Sequence, residues 1–131
     1  MPAFGGTSLA HLRTCDARLQ SLAHEVIKHV DHTVLCGHRT QTQQDAVYAA
    51  GTSKVRWPNS KHNSLPSKAI DVAPYPIDWE DELRFARLIG HYERVANEQG
   101  IRIRLGLDFN RDGRSRDERF LDLPHIELVD G

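Results

Sequence analysis

Leu9, Leu12, Leu19, Leu22, Val26, Ile27 and Val30 recur at helical spacing, so Ser8 to Val30 reads as one amphipathic helix with Ser8 as its N-cap. The β-rich run Thr33 to Arg39 reads as a strand. Thr40 can cap a second helix, Gln41 to Ala50, which Gly51 ends. Thr52 to Lys68 is polar and carries Pro58 and Pro66, so it reads as an ordered loop. Ala69 to Ala73 reads as a strand entering the core and stopped by Pro74 and Pro76. Asp78 can cap a long helix from Trp79 to Gln99, with Leu83, Ala86, Ile89, Tyr92, Val95 and Ala96 as its buried stripe and Gly100 as its end. Ile101 to Leu107 alternates apolar and arginine positions, the period of a strand with one wet face. A charged loop covers Asp108 to Asp117, and His125 to Val129 is a last short strand. Partly segregated helices and strands with hairpin-like connections predict an α+β fold, helices packed on a small, mainly antiparallel sheet.

Composition narrows the function classes. A length of 131 residues suits a single domain, residues 1–131, with a core that needs no staples. A net charge of -1 gives no electrostatic footprint for nucleic acid. No apolar run reaches the length of a membrane span, so no membrane insertion is expected, and Met1 to Arg18 lacks the pattern of a secretory signal. Cys15 and Cys36 do not make a disulfide framework; Cys36 reads as a buried thiol, with a Cys15–Cys36 bridge as the lesser alternative. Eight histidines direct attention to metals and proton transfer.

His24-Glu25-Val26-Ile27-Lys28-His29 imitates a zinc-binding helix but has one residue too many. Its histidines are five apart, about 140° around a helix, and cannot easily chelate one ion. His11, His32 and His91 have no partner at ligand spacing and read as surface or boundary residues. The segment from Ser60 through His62 to Asp71 is more informative. Asp71 sits among Ala69, Ile70, Val72 and Ala73, where a carboxylate is costly unless it pairs or binds a metal. Asp122 and His125, separated by a proline turn, form a second candidate pair. Two imidazoles and one carboxylate make an open zinc site with a fourth position for water. A neighbouring carboxylate such as Asp122 can accept that water's proton. Spacing alone leaves the alternative that Asp71 pairs with an arginine and the histidines are structural. Asp108-Phe109-Asn110-Arg111-Asp112-Gly113 follows the start of a calcium loop, with Asp117 and Glu118 as further oxygen donors, although Arg119 takes the place of the usual final Glu. An acidic turn balanced by the nearby arginines is the competing reading.

Four ordered segments resemble the zinc D-Ala-D-Ala carboxypeptidase (VanY-like) group, and especially its branch of bacteriophage L-alanyl-D-glutamate endopeptidases, which are endolysins. They are Gly37-His38-Arg39-Thr40 with Gln44; Ser60-Lys61-His62-Asn63 continued by Pro66 to Tyr75; Ile77-Asp78-Trp79; and Asp122 to Leu128. The resemblance implies a Hedgehog/DD-peptidase-like fold, zinc on His62, Asp71 and His125, Asp122 as the catalytic acid/base, and Arg39 on the substrate or its oxyanion. Ser60 and Gln44, inside the matching segments, are expected to support the ligands, and Glu127, on the same side of its strand as His125, either does the same or is simply a charged strand position. Similar phage enzymes carry a calcium loop where Asp108 stands. Many members space the first His and Asp by seven; here the separation is nine. Asp122 and Pro124 stand where carboxypeptidases carry Glu and Trp, which favours the endopeptidase branch.

The implied activity is peptidoglycan hydrolysis at the L-alanyl-D-glutamate bond of stem peptides, through a metal-activated water. A D-Ala-D-Ala carboxypeptidase or dipeptidase, and a non-enzymatic zinc-stabilised wall-binding domain, are the alternatives. The expected partner is the bacterial stem peptide, the expected state a monomer. The expected route is synthesis in the host cytoplasm and action on peptidoglycan once the membrane is permeabilised.

Overall fold

A computed structural model describes residues 2–106 and 123–130. Asp122 and the whole candidate calcium loop (Asp108, Asn110, Asp112, Asp117 and Glu118) lie outside the described residues. The first amphipathic segment is two helices, α1 (Gly6–Leu12) and α2 (Ala17–Val26), rather than one. The break has a tertiary cause. Thr14 N and Cys15 N close a tight last turn on His11 O and Leu12 O, and then Ser67 N donates to Thr14 O (2.8 Å) and Asp16 N donates to Ser67 O (2.9 Å), so the chain pairs with a distant loop where the helix would have continued. Asp16 then restarts the helix, its carboxylate accepting from Arg18 N. The apolar stripe runs in phase through the break: Leu12, Leu19, Leu22, Ala23 and Val26 are all buried.

β1 (His32–Cys36) leads to α3 (Gln41–Ala49), where Thr40 and Gln43 form a reciprocal capping box. A short 3-10 turn (Lys61–Asn63) precedes β2 (Ala69–Pro74). α4 (Glu82–Gln99) starts three residues later than its sequence suggests. Asp78 caps a separate turn by accepting from Glu80 N (3.0 Å), and Asp81 is the true N-cap. Trp79, outside the helix, stacks on Phe85 with ring centroids 5.3 Å apart. The buried stripe is therefore Phe85, Leu88, Ile89, Tyr92, Val95 and Ala96, while Leu83 and Ala86 face out. Gly100 ends the helix at φ +71°, a left-handed conformation that favours glycine. β3 (Ile103–Leu105) and β4 (His125–Leu128) complete the elements.

The four strands form one sheet in the order β1-β2-β4-β3, every neighbouring pair antiparallel. The fold is α+β, as the sequence predicts. Val34, Val72, Ile70, Ile126, Leu128 and Leu105 turn one face of the sheet into a core shared with α1, α2 and α4. Among the described residues, no helix is long and apolar enough to cross a membrane.

His32 is buried in that core, not at the surface. Its Nδ1 donates to Val30 O (2.8 Å), leaving Nε2 to accept from Tyr92 Oη (2.7 Å). Burial pushes its pKa down from the usual 6.5 to about 4. A depressed histidine stabilises the fold above its unfolded pKa, and that stability is lost as pH falls towards the folded value. Metal-stripped protein should therefore lose about 3 kcal/mol between pH 6.5 and 4. Urea midpoints across that window measure it; a flat profile would refute a neutral buried His32.

Candidate metal centre

Strand register assembles the site. Asp71 on central β2 faces Cys36 of β1 on one side and His125 of β4 on the other. Side chains alternate across a strand. Ile70 and Ile126 enter the core, so Asp71, His125 and Glu127 share the opposite face. His62 arrives from the 3-10 turn. Ser60 caps that turn by accepting from His62 N (3.2 Å), and Asn63 closes the box by accepting from Ser60 N (3.0 Å).

Both imidazoles converge on one carboxylate oxygen. His62 Nε2 is 3.2 Å and His125 Nδ1 is 3.1 Å from Asp71 Oδ1. Their remaining nitrogens are anchored. His62 Nδ1 donates to Gly37 O (2.7 Å), and His125 Nε2 donates to Glu127 Oε1 (2.9 Å). These outer bonds aim Nε2 of His62 and Nδ1 of His125 at the same place, as the outer partners of metal-bound histidines do. Burial alone would push both histidines down. The charge and hydrogen bond of Asp71 outweigh it, lifting His62 to about 10 and, with Glu127, His125 to about 9. Burial pushes Asp71 up, yet the two imidazoles hold it far below the ordinary carboxylate range.

The donor set fits zinc. Ligand atoms about 2.0–2.1 Å from a tetrahedral ion lie about 3.3 Å from one another, close to the two separations at Asp71. Cys36, His62 and Asp71 also form a group whose ligand atoms lie within 4.8 Å of one another, and that group can hold a metal ion. Cys36 Sγ, however, lies 3.8 Å from His62 Nδ1, the nitrogen already engaged by Gly37 O. The hydrogen-bond directions therefore favour His125 over Cys36 as the third donor. Cys15 and Cys36 are both free, and Cys36 is half-buried rather than a core thiol.

Arg39 stands beside the cluster. Its Nη2 is 3.7 Å from Asp71 Oδ2, and its Nη1 donates to Gln44 Oε1 (2.9 Å). Gln44 is fully buried and satisfied on every side. Its Oε1 also accepts from Asn63, and its Nε2 donates to Ser53 Oγ and Val55 O. Asn63 further donates to Arg39 O. A Cβ at Gly37 would collide with His11 O, Thr14 Oγ1 and Cys15 Sγ, so only glycine brings this carbonyl to His62. These groups border a cleft of about 770 Å³ that Trp79, Leu123 and Pro124 also line.

The structure thus brings together His62, Asp71, His125, Arg39, Gln44, Ser60 and Glu127 from the residues singled out in the sequence. It does not describe Asp122 or the candidate calcium residues. Cys36, Asn63 and the Gly37 carbonyl were missed. For the last two, the signal was their place inside Ser60-Lys61-His62-Asn63 and Gly37-His38-Arg39-Thr40.

Residues 2–129 match the sequence profile of the family described as phage L-alanyl-D-glutamate peptidase. The chain belongs to that family. It is 36% identical over 134 residues to the L-alanyl-D-glutamate peptidase of Escherichia phage T5, a match covering 96% of this chain and 97% of the relative. The fold is that of the Serratia marcescens L-Ala D-Glu endopeptidase ChiX, with a TM-score of 0.76, 24% identity, and coverage of 97% of this chain and 90% of that one. As a member of a peptidase family, the chain is an enzyme of peptide-bond hydrolysis.

Proposed function

We propose that this chain is a zinc-dependent peptidoglycan hydrolase, an endolysin of the VanY-like group, that cuts the L-alanyl-D-glutamate bond of stem peptides. What supports the reading most is the convergence of His62 Nε2 and His125 Nδ1 on Asp71 Oδ1 with both outer nitrogens anchored. The phage T5 relative's activity, named for that bond, supplies the substrate class. In this reading His62, Asp71 and His125 hold the ion. Zinc bound there supplies Lewis acidity toward the scissile carbonyl and toward the attacking water. Asp122, three residues before His125, takes the water's proton and returns it to the leaving amine. Arg39 places a fixed cation beside Asp71, where it donates to the oxyanion as charge develops. Glu127 and Gly37 O fix the tautomers of the ligands, and Ser60 fixes the turn that carries His62. The chain acts as a monomer, made in the host cytoplasm and reaching the wall once the membrane is permeabilised.

Digestion of purified peptidoglycan followed by mass spectrometry tests the bond. Fragments with a new amino terminus on D-glutamate are expected. Release of free D-alanine would replace this reading with a carboxypeptidase.

A further inference from the structure

The bond proposed for cleavage carries a charge beside it. The leaving amine belongs to D-glutamate, and the stem peptide continues through that residue's γ-carboxyl. Its α-carboxylate therefore stays free, three bonds from the scissile carbonyl carbon. An enzyme that desolvates this group as the cleft fills needs a cation for it. Among the described residues, Arg39, Lys54 and Lys61 are the lysine and arginine side chains lining the cleft. Two of them are committed. Arg39 is held by Gln44 and faces Asp71. Lys61 Nζ donates to Leu128 O (3.2 Å) and lends its charge to Glu127.

Lys54 is different. It is exposed and makes no hydrogen bond or ion pair among the described residues. Its backbone is nevertheless pinned on both sides. Ser53 N and Thr52 N donate to Val47 O, and Val55 N donates to Ser53 Oγ (3.2 Å). The buried Gln44 side chain donates to Ser53 Oγ (3.0 Å) and Val55 O (2.6 Å) on either side of it. A lysine carried on so fixed a loop loses less freedom on meeting a ligand than one on a mobile surface. The same Gln44 also holds Arg39, so one buried amide sets the spacing between the cation at the reacting carbonyl and the cation at the cleft wall.

We propose that Lys54 is the specificity-determining residue that receives the free α-carboxylate of the D-glutamyl residue, so that the enzyme prefers D-glutamate to its α-amide, D-isoglutamine, at this position. The proposal rests on the endopeptidase reading above. The test uses two synthetic peptides, acetyl-L-alanyl-γ-D-glutamyl-L-lysine and the same peptide with the α-carboxylate converted to a carboxamide, with the zinc-loaded full chain. Wild type should cleave the carboxylate peptide roughly 10- to 100-fold more efficiently, the range of one charge-assisted hydrogen bond. Lys54→Met should lose that factor on the carboxylate peptide, mainly through a raised KM, and leave the carboxamide peptide unchanged. Lys54→Arg should restore most of the preference. Equal effects of Lys54→Met on both peptides, or none on either, would overturn the assignment of Lys54 while leaving the endopeptidase reading standing. Wild type that cleaves neither peptide, yet releases D-alanine from peptidoglycan, overturns that reading and the proposal with it.

Discussion

Asp71→Asn is expected to reduce zinc content from near-stoichiometric to trace and to lower hydrolysis more than about a hundredfold, since even the outer partners of a metal ligand cost 10- to 100-fold. The carboxamide keeps the shape of the side chain and removes its charge. Asp71 Oδ1 is the point on which His62 Nε2 and His125 Nδ1 converge, so no other group replaces it. Without the carboxylate, both imidazoles lose the partner that chiefly offsets burial and fall from their raised values, His125 keeping only the support of Glu127. The metal-free wild type, by contrast, keeps both histidines protonated at neutral pH, one proton facing Asp71 from each ring. Zinc must displace those protons, so its binding should release about two per ion and strengthen as pH rises. The exchange is neutral in charge: a divalent ion replaces the two protons that face Asp71. Calorimetry in buffers of different ionisation enthalpy reads the proton count. Asp71→Asn protein that retains a full equivalent of zinc would overturn the ligand assignment.

Arg39→Met should lower kcat about 100- to 1000-fold, the effect of removing one oxyanion donor, with zinc content unchanged. Arg39→Lys should recover only part of that loss, because an ammonium keeps the charge but not the fork. The fork matters here. Nη1 is tied to Gln44 Oε1 while Nη2 faces Asp71, so one guanidinium is both anchored and presented. The fold should tolerate the change, since Gln44 Oε1 still accepts from Asn63. A fall of less than about threefold in kcat would remove Arg39 from the reacting centre.

Asp71 was legible because a carboxylate inside Ala69-Ile70-Asp71-Val72-Ala73 is costly unless it pairs or binds a metal, although spacing alone could not choose between a metal and an arginine partner. Its neighbours were not. That His125 lies beside it depends on β4 inserting between β2 and β3, and spacing along the chain carries no trace of strand order. The helix break at Thr14–Asp16 was hidden because the apolar stripe continues in phase across it, while its cause, Ser67, is distant in sequence. The start of α4 was ambiguous for a chemical reason. Asp78 and Asp81 are equally good caps, and Trp79 packing on Phe85 decides between them. His32 looked like a surface residue because its partner, Tyr92, lies sixty positions away. Lys54, a cleft-lining cation with no ion pair among the described residues, had no sequence signal, since a lysine in a polar loop is ordinary until its neighbours are seen to be pinned.

The two-faced sheet has a consequence for how errors are removed. Ile70 and Asp71 are adjacent on β2, and Ile126 lies between His125 and Glu127 on β4. A slip of one residue in pairing would turn Asp71, His125 and Glu127 into the oily interior and push the isoleucines into water. Chains with a misaligned Asp71–His125–Glu127 face would therefore fail to fold, rather than survive as intact protein with a broken cluster. Proofreading of the candidate metal centre is thus performed by the hydrophobic core, and folding yield itself becomes a readout of whether the cluster was laid down correctly.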